Sequence, residues 1–386
     1  MRVLLAFDKF KDSLTAPEAC TIAADALRAA HPDWTLELCP LADGGEGFCP
    51  ILTRAAGGTI ETLRVTGPRG QPVDATLGFV PLAHIPAAAV ALLHLPPATR
   101  SPAIIAVIEM ASASGLALLT PDQRDPWQTT TRGTGELMRY AAARGATALV
   151  LGVGGSATHD LGLGALAALD VNGTARDGLP VDPPIPARWS EILGFHGRAA
   201  AGLPPIRIAC DVTNPLTGPN GAAATYGPQK GLQPPDLARL DAESSRLGKL
   251  LCTHCGRPES LLETPGAGAA GGISFGLMTA ADAALLPGFD LVSAWLDLEP
   301  KLAAADLVIT GEGRFDASSL QGKGPGAVAA RALALGKKVQ VFAGSATVAN
   351  PPANLSLHSI TPAGTPLATA LRDASANLAQ TVRAVL

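Results

Sequence analysis

Short apolar runs alternate with amphipathic stretches at both ends of the chain, and the middle has a different texture. Val3–Phe7 predicts a strand, and Thr15–Ala30 predicts a helix. Ser13 or Thr15 can cap that helix, Pro17 suits its first turn, and Glu18 stands in the capping-box position relative to Thr15. Thr35–Cys39 predicts a second strand. The segment ADGGEGF then opens a helix to about Ala56, closed by Gly57-Gly58. The last hundred residues return to the same alternation. Leu307–Thr310 predicts a strand, Gly326–Leu335 a helix, Val339–Ala343 a strand, His358–Thr361 a weak strand and Leu367–Val385 a helix.

The middle is richer in proline. From Glu61 to Arg100 the runs are short and β-like, and proline at that density predicts edge strands and turns rather than central strands. Ile104–Met110 and Ala148–Val153 read as strands, Thr134–Ala143 as a helix, and residues 171–205 as a long irregular connection. The simplest arrangement is α/β with two domains. Residues 1–62 and 290–386 form one doubly wound domain, and residues 63–289 form a second, inserted domain of mixed α/β character.

Composition narrows the class. Of 386 residues 47% are hydrophobic, ample for two cores, while only 16% are charged and the formal net charge is −4. No long run of one sign recommends nucleic acid or a membrane surface as partner. The N-terminal apolar run is too short for a signal peptide, and proline, glycine or charge interrupts internal runs before they could span a bilayer. The expected compartment is the cytoplasm. Six scattered cysteines then read as reduced thiols, and the Cys252–Cys255 pair has no second pair to complete a zinc ribbon.

The chemistry gathers where apolar strands end. After ADLVIT comes GEGRFDASSLQGKG, which packs Glu312, Arg314, Asp316 and Lys323 among glycines. Carboxylates suit Mg²⁺, Arg and Lys suit phosphate oxygens, and glycines let a backbone approach an anion. Four further loops share this character. They are Asp8–Ser13, Asp43–Gly47, Gly152–Asp160, and Asp211–Asn214 with Gly227–Gly231. Singly, each has a plainer explanation. Gly154-Gly155 could be a tight turn, Asp43 and Glu46 helix caps or first-turn acids, Lys230 and Lys323 solvated lysines, and His159 a hydrogen-bonded loop residue. Together they point to phosphoryl chemistry.

No Walker A motif and no zincin motif occurs, and no serine-hydrolase G-x-S-x-G occurs around a plausible triad. A literal G-x-G-x-x-G at Gly266, Gly268 and Gly271 offers an NAD-dependent oxidoreductase of a small hydroxy acid as an alternative. It lacks a preceding strand. A non-catalytic metabolite-binding protein on the same fold is a third possibility.

The segments FDKFKDSLTAPEA, LADGGEGF, TRGTGEL, GVGGSATHD, CDVTNPL, GPQKG, PGAGAAGG and TGEGRFDASSLQGK stand in an order that resembles the bacterial glycerate kinases. The resemblance runs over nearly the whole chain. It implies a Rossmann-like domain built from both termini and an inserted mixed α/β domain, with the active site in an interdomain cleft. It also implies ATP and Mg²⁺ as cofactors, D-glycerate as substrate and 2-phosphoglycerate as product. Monomer and homodimer both stay open. Lys9 stands where that family usually has Ser, Asp12 where it often has Gly, His159 where it has Asn, Leu161 where it has Gly, and Ser318 in place of a common Gln.

Phosphoryl transfer needs positioning, charge neutralisation and a proton acceptor. Glu312 and Asp316 are candidates for the metal. Lys230, Lys323 and Arg314 are candidates for phosphate charge, and Gly154, Gly155 and Ser156 for backbone N–H groups. Asp8, Lys11, Ser13, Asp43, Glu46 and Arg132 are candidates for the hydroxy acid. Asp160 and Asp211 are the candidates for the base that takes the hydroxyl proton.

Overall fold

The computed structural model describes residues 1–96, 102–200, 202–317, 319 and 324–386. The chain forms two compact units, Met1–Asp43 with Val292–Leu386, and Gly44–Leu291.

The first unit is built on a wholly parallel sheet. Its strands lie in the order Leu355–Ser359, Lys338–Ala343, Leu307–Gly311, Arg2–Phe7, Thr35–Leu38. Counted along the chain this is the order 2-1-3-4-5, a doubly wound sheet that reverses direction between its first and third strands. Val3, Leu5, Phe7, Ile309 and Phe342 fill one core with Leu27, Leu378 and Val382 from the helices Ala16–Ala30 and Ala374–Val385. The expected capping box is present. Thr15 N donates to Glu18 Oε2 at 2.8 Å, and Glu18 N donates to Thr15 Oγ1 at 3.4 Å. The stretch expected as one terminal helix is two, Leu367–Arg372 and Ala374–Val385, broken at Asp373. The backbone carbonyl of Asp373 accepts from Asn377 N at 2.9 Å and so opens the second helix.

The second unit carries a mixed six-stranded sheet. Ala284–Leu286, Ile206–Ala209, Ala148–Gly152 and Ile104–Glu109 run parallel, then Pro72–Pro81 and Thr59–Thr66 add an antiparallel hairpin at one side. Pro72 and Pro81 sit at the two ends of their strand, where a missing N–H costs the ladder least. The proline-rich stretch also contains a short helix, Ala87–Leu93, that the pattern does not suggest.

The boundary lies earlier than residue 62. The helix Phe48–Ala55 packs on the strands Pro72–Pro81 and Ile104–Glu109, so it belongs to the second unit. Thr53, fully buried on this helix, occupies the space that a side chain at Gly78 would need.

The G-x-G-x-x-G stretch does not open a helix after a strand. Gly268 and Gly271 lie against the backbone carbonyls of Pro215 and Thr158, so closely that a Cβ at either would collide. These glycines serve backbone packing, and the strand before them, Ile206–Ala209, lies far upstream beyond the helix Leu237–Cys255, so no compact βαβ unit holds them and the basis of the dinucleotide alternative is gone. The Cys252–Cys255 pair closes the helix Leu237–Cys255, and both thiols are free.

Candidate active site

In the first unit, parallel pairing sets Phe7 opposite Gly311, and the next residues are Asp8 and Glu312. They therefore leave the sheet side by side at the reversal point, the carboxyl edge where ligands bind in doubly wound sheets. Asp8 is 6% exposed, and its Oδ1 accepts from Lys9 N at 2.7 Å. Lys9 Nζ pairs with Asp43 Oδ1 at 3.0 Å. Burial, reinforced by the charge of Asp43, pushes the Asp8 carboxyl up to about 7. Burial also raises Glu312, with the neighbouring Asp43 and Asp316 adding to the effect. Arg314 Nε meets Asp316 Oδ2 at 3.1 Å. Asp8, Lys11, Ser13, Asp43, Glu312 and Arg314 line one cavity of about 690 Å³. Lys323 lies outside the described residues.

In the second unit, glycines bring two backbones together. Gly154 N donates to Gly44 O at 2.9 Å, and a Cβ on Gly154 would fall 2.7 Å from the Gly45 backbone. The loop carrying Glu46 thus lies against the turn Gly154–Ser156, beyond the strand Ala148–Gly152. Asp43 and Glu46 are not helix caps. Gly47 takes that position, without a side-chain bond. Lys230 is not solvated either. It is 1% exposed, and its Nζ donates to Ser156 Oγ at 2.9 Å and Thr158 O at 2.6 Å. Burial lowers Lys230 to about 7, against the pull of Asp160.

Asp160 is fully buried and holds four donors. Thr131 N and Oγ1 lie at 2.7 and 2.8 Å, and Gly162 N and Gly164 N at 3.1 Å. It thereby fixes the segment that leads into the helix Arg132–Ala143. Arg132 itself pairs with Asp182. Asp211, just beyond the strand Ile206–Ala209, is half-buried and accepts from Phe289 N at 2.9 Å.

The sequence model of the glycerate kinase family matches residues 3–386. The chain belongs to the glycerate kinase family. It is 37% identical over 391 residues to a glycerate kinase of Bacillus subtilis strain 168, covering 99% of this chain and 96% of that protein. It is 37% identical over 368 residues to the glycerate 2-kinase of Escherichia coli K12, covering 90% and 86%. The crystal structure of a glycerate kinase 2 from Salmonella typhimurium LT2 matches with a TM-score of 0.75 at 37% identity, over 100% of this chain and 97% of that one.

This member of the glycerate kinase family carries functional candidates that sequence reasoning passes over. Glu109 ends the strand Ile104–Glu109, is 7% exposed and accepts from Cys49 N at 3.1 Å. The far wall of the 690 Å³ cavity, from Ser359 to Leu371, reads in sequence as a weak strand and a helix. Its signal is the Pro362-Ala-Gly364-Thr-Pro366 loop directly after a strand. His159 is a buried loop histidine, with Nε2 at 3.1 Å from Ser244 Oγ and a charge-averse setting that drops it to about 3. Leu161 holds φ at 54° in the left-handed region. Among the described residues no helix is long and apolar enough to cross a membrane.

Proposed function

We propose that this chain transfers the terminal phosphoryl of ATP to D-glycerate, giving 2-phosphoglycerate and ADP. The family match over residues 3–386 is the observation that carries this reading. The loops at the carboxyl edges of both sheets, rich in acids, cations and glycines, support it chemically.

The donor set in the first unit suits a hard divalent cation. Asp8, Asp43, Glu312 and Asp316 are crowded enough to oppose one another's ionisation, and a cation relieves that opposition. Glu312 and Asp316 would hold Mg²⁺, which when bound neutralises phosphate charge. Such ions are commonly held by one or two carboxylates together with substrate phosphates. The described residues contain no larger group of His, Cys, Asp or Glu arranged for a metal. Arg314 and Lys11 share the cavity with Glu312 and counter polyphosphate charge, and Lys323 belongs to the same loop in sequence.

In the second unit the half-buried Asp211 suits the base that takes the proton of the glycerate hydroxyl, and its bond from Phe289 N holds it in aim. Asp160, enclosed by four donors, acts as a positioning residue for Thr131 and Arg132. Arg132 and Glu46 are assigned to the hydroxy acid. Gly154, Gly155 and Ser156 supply backbone donors to phosphate, and Lys230 holds Ser156 in place beneath them.

The test is an assay with ATP, Mg²⁺ and D-glycerate, with the product identified by phosphorus NMR. ADP release with 2-phosphoglycerate is the expected result. No ADP above the glycerate-free blank would sink the reading, and 3-phosphoglycerate would overturn its regiochemistry.

A further inference from the structure

The 690 Å³ cavity of the first unit is far larger than a three-carbon hydroxy acid requires and falls in the usual range for cofactor pockets, about 300–1,000 Å³. Its two ends differ in kind. One end is charged, with Asp8, Lys9, Glu312 and Arg314. The wall that follows the last strand is uncharged and largely apolar, with Ile360, Leu367, Ala370 and Leu371 beside the hydroxyls of Ser359, Thr361 and Thr365. Leu367 is 74% exposed, the largest exposure among the large hydrophobic residues described, so the slot presents an apolar surface that the fold does not cover.

That slot is pre-built. Ser359 Oγ donates to Gly344 O at 3.1 Å and to Thr361 O at 3.3 Å, which ties the loop after the last strand to its neighbour. Gly364 turns the loop at φ 78°, and Thr365 N closes on Pro362 O at 3.2 Å. The helix Leu367–Arg372 then forms the wall. Cavity and loops lie along the carboxyl ends of the first, third, fourth and fifth strands, beginning at the reversal point.

We propose that this cavity seats the nucleoside of the phosphoryl donor, with the base against Ile360, Leu367 and Leu371 and the phosphates directed to Glu312 and Arg314. The assignment rests on the kinase reading for its use of ATP. A planar apolar base with a polyphosphate tail matches a slot that is largely apolar at one end and charged at the other. A small hydroxy acid matches only the charged end. Asp8, Lys11, Ser13 and Asp43 therefore flank phosphates, and recognition of the hydroxy acid falls to the second unit's loops.

Two experiments test it. Ala370→Trp fills the slot from its helical wall. It should raise the KM for ATP about tenfold or more and leave the KM for D-glycerate within about twofold. A raised KM for D-glycerate with an unchanged KM for ATP overturns the assignment, as do two unchanged values. Should that variant not fold, hydrogen exchange on the unaltered chain serves. A non-hydrolysable ATP analogue should slow exchange across residues 359–372, and D-glycerate alone should not. Exchange there that ignores the nucleotide overturns the proposal. Nucleotide protection without glycerate phosphorylation supports it while removing the proposed reaction. Phosphorylation with no effect at this segment leaves the reaction standing and removes the cavity assignment alone.

Discussion

Lys230 donates its buried ammonium to the hydroxyl of Ser156 across 2.9 Å, with Thr158 O as its second acceptor at 2.6 Å. Burial disfavours the charged amine, and its value falls from 10.5 to about 7. An unfolded chain keeps this proton to about pH 10, while the folded chain releases it near 7. Between those values the unfolded state binds more protons, so folding stability rises with pH. The slope from this group is at most about 1.4 kcal/mol per pH unit. Lys230→Met should flatten that rise between pH 7 and 10, read from urea unfolding at several pH values. An identical slope in the variant would show that Lys230 does not titrate there.

The two aspartates that sequence reasoning leaves as rival bases should separate. Asp160→Asn puts an amide where four donors converge, and should cost about 2–4 kcal/mol of stability. Asp211→Asn should leave the unfolding midpoint almost unmoved and lower kcat about a hundredfold or more. A kcat within about threefold of the parent would remove Asp211 from the role of base.

Gly154→Ala tests the close approach of two loops. The new methyl would meet Gly45 at 2.7 Å, and its neighbours are backbone atoms that cannot rotate away. A cost of about 1–3 kcal/mol is expected, seen as a lower urea midpoint at unchanged slope, together with a fall in kcat. Full stability in the variant would mean that the loops yield easily.

Glu312→Gln and Asp316→Asn should each raise the Mg²⁺ needed for half-maximal rate by about tenfold or more. Unchanged Mg²⁺ titrations would take these carboxylates out of the metal site.

Much of this arrangement was legible because the information is local. Short apolar runs such as Leu4–Phe7 and Leu307–Ile309, bounded by turn signals, read as strands buried on both faces, and Thr15 with Glu18 announces a helix start. The residue next after a strand in a parallel sheet lands on the sheet's carboxyl edge, so the loops at Asp8 and Glu312 could be anticipated together. Other features are decided by distant partners. The helix Phe48–Ala55 belongs to the second unit because Gly78 leaves room for Thr53, a fit between residues far apart in sequence. Lys230 looks like a surface lysine until its acceptors, Ser156 and Thr158, arrive from another loop. Asp160 and Asp211 are the same chemical letter, and only burial tells a brace from an accessible acid. The slot from Ile360 to Leu371 hides in a Pro-Gly loop and in a run with the pattern of one helix.

The strand Arg2–Phe7 is the second from one edge of its sheet, between Thr35–Leu38 and Leu307–Gly311. On the ribosome it emerges well before Leu307 and waits for it before that second side is covered. At roughly 5–20 residues per second the delay is on the order of tens of seconds. During it the apolar run Val3–Phe7 has only its partner Thr35–Leu38 and the helix Ala16–Ala30 for cover, while every strand of the Gly44–Leu291 sheet has already been made. Vulnerability to aggregation during synthesis is therefore concentrated at the strand Arg2–Phe7.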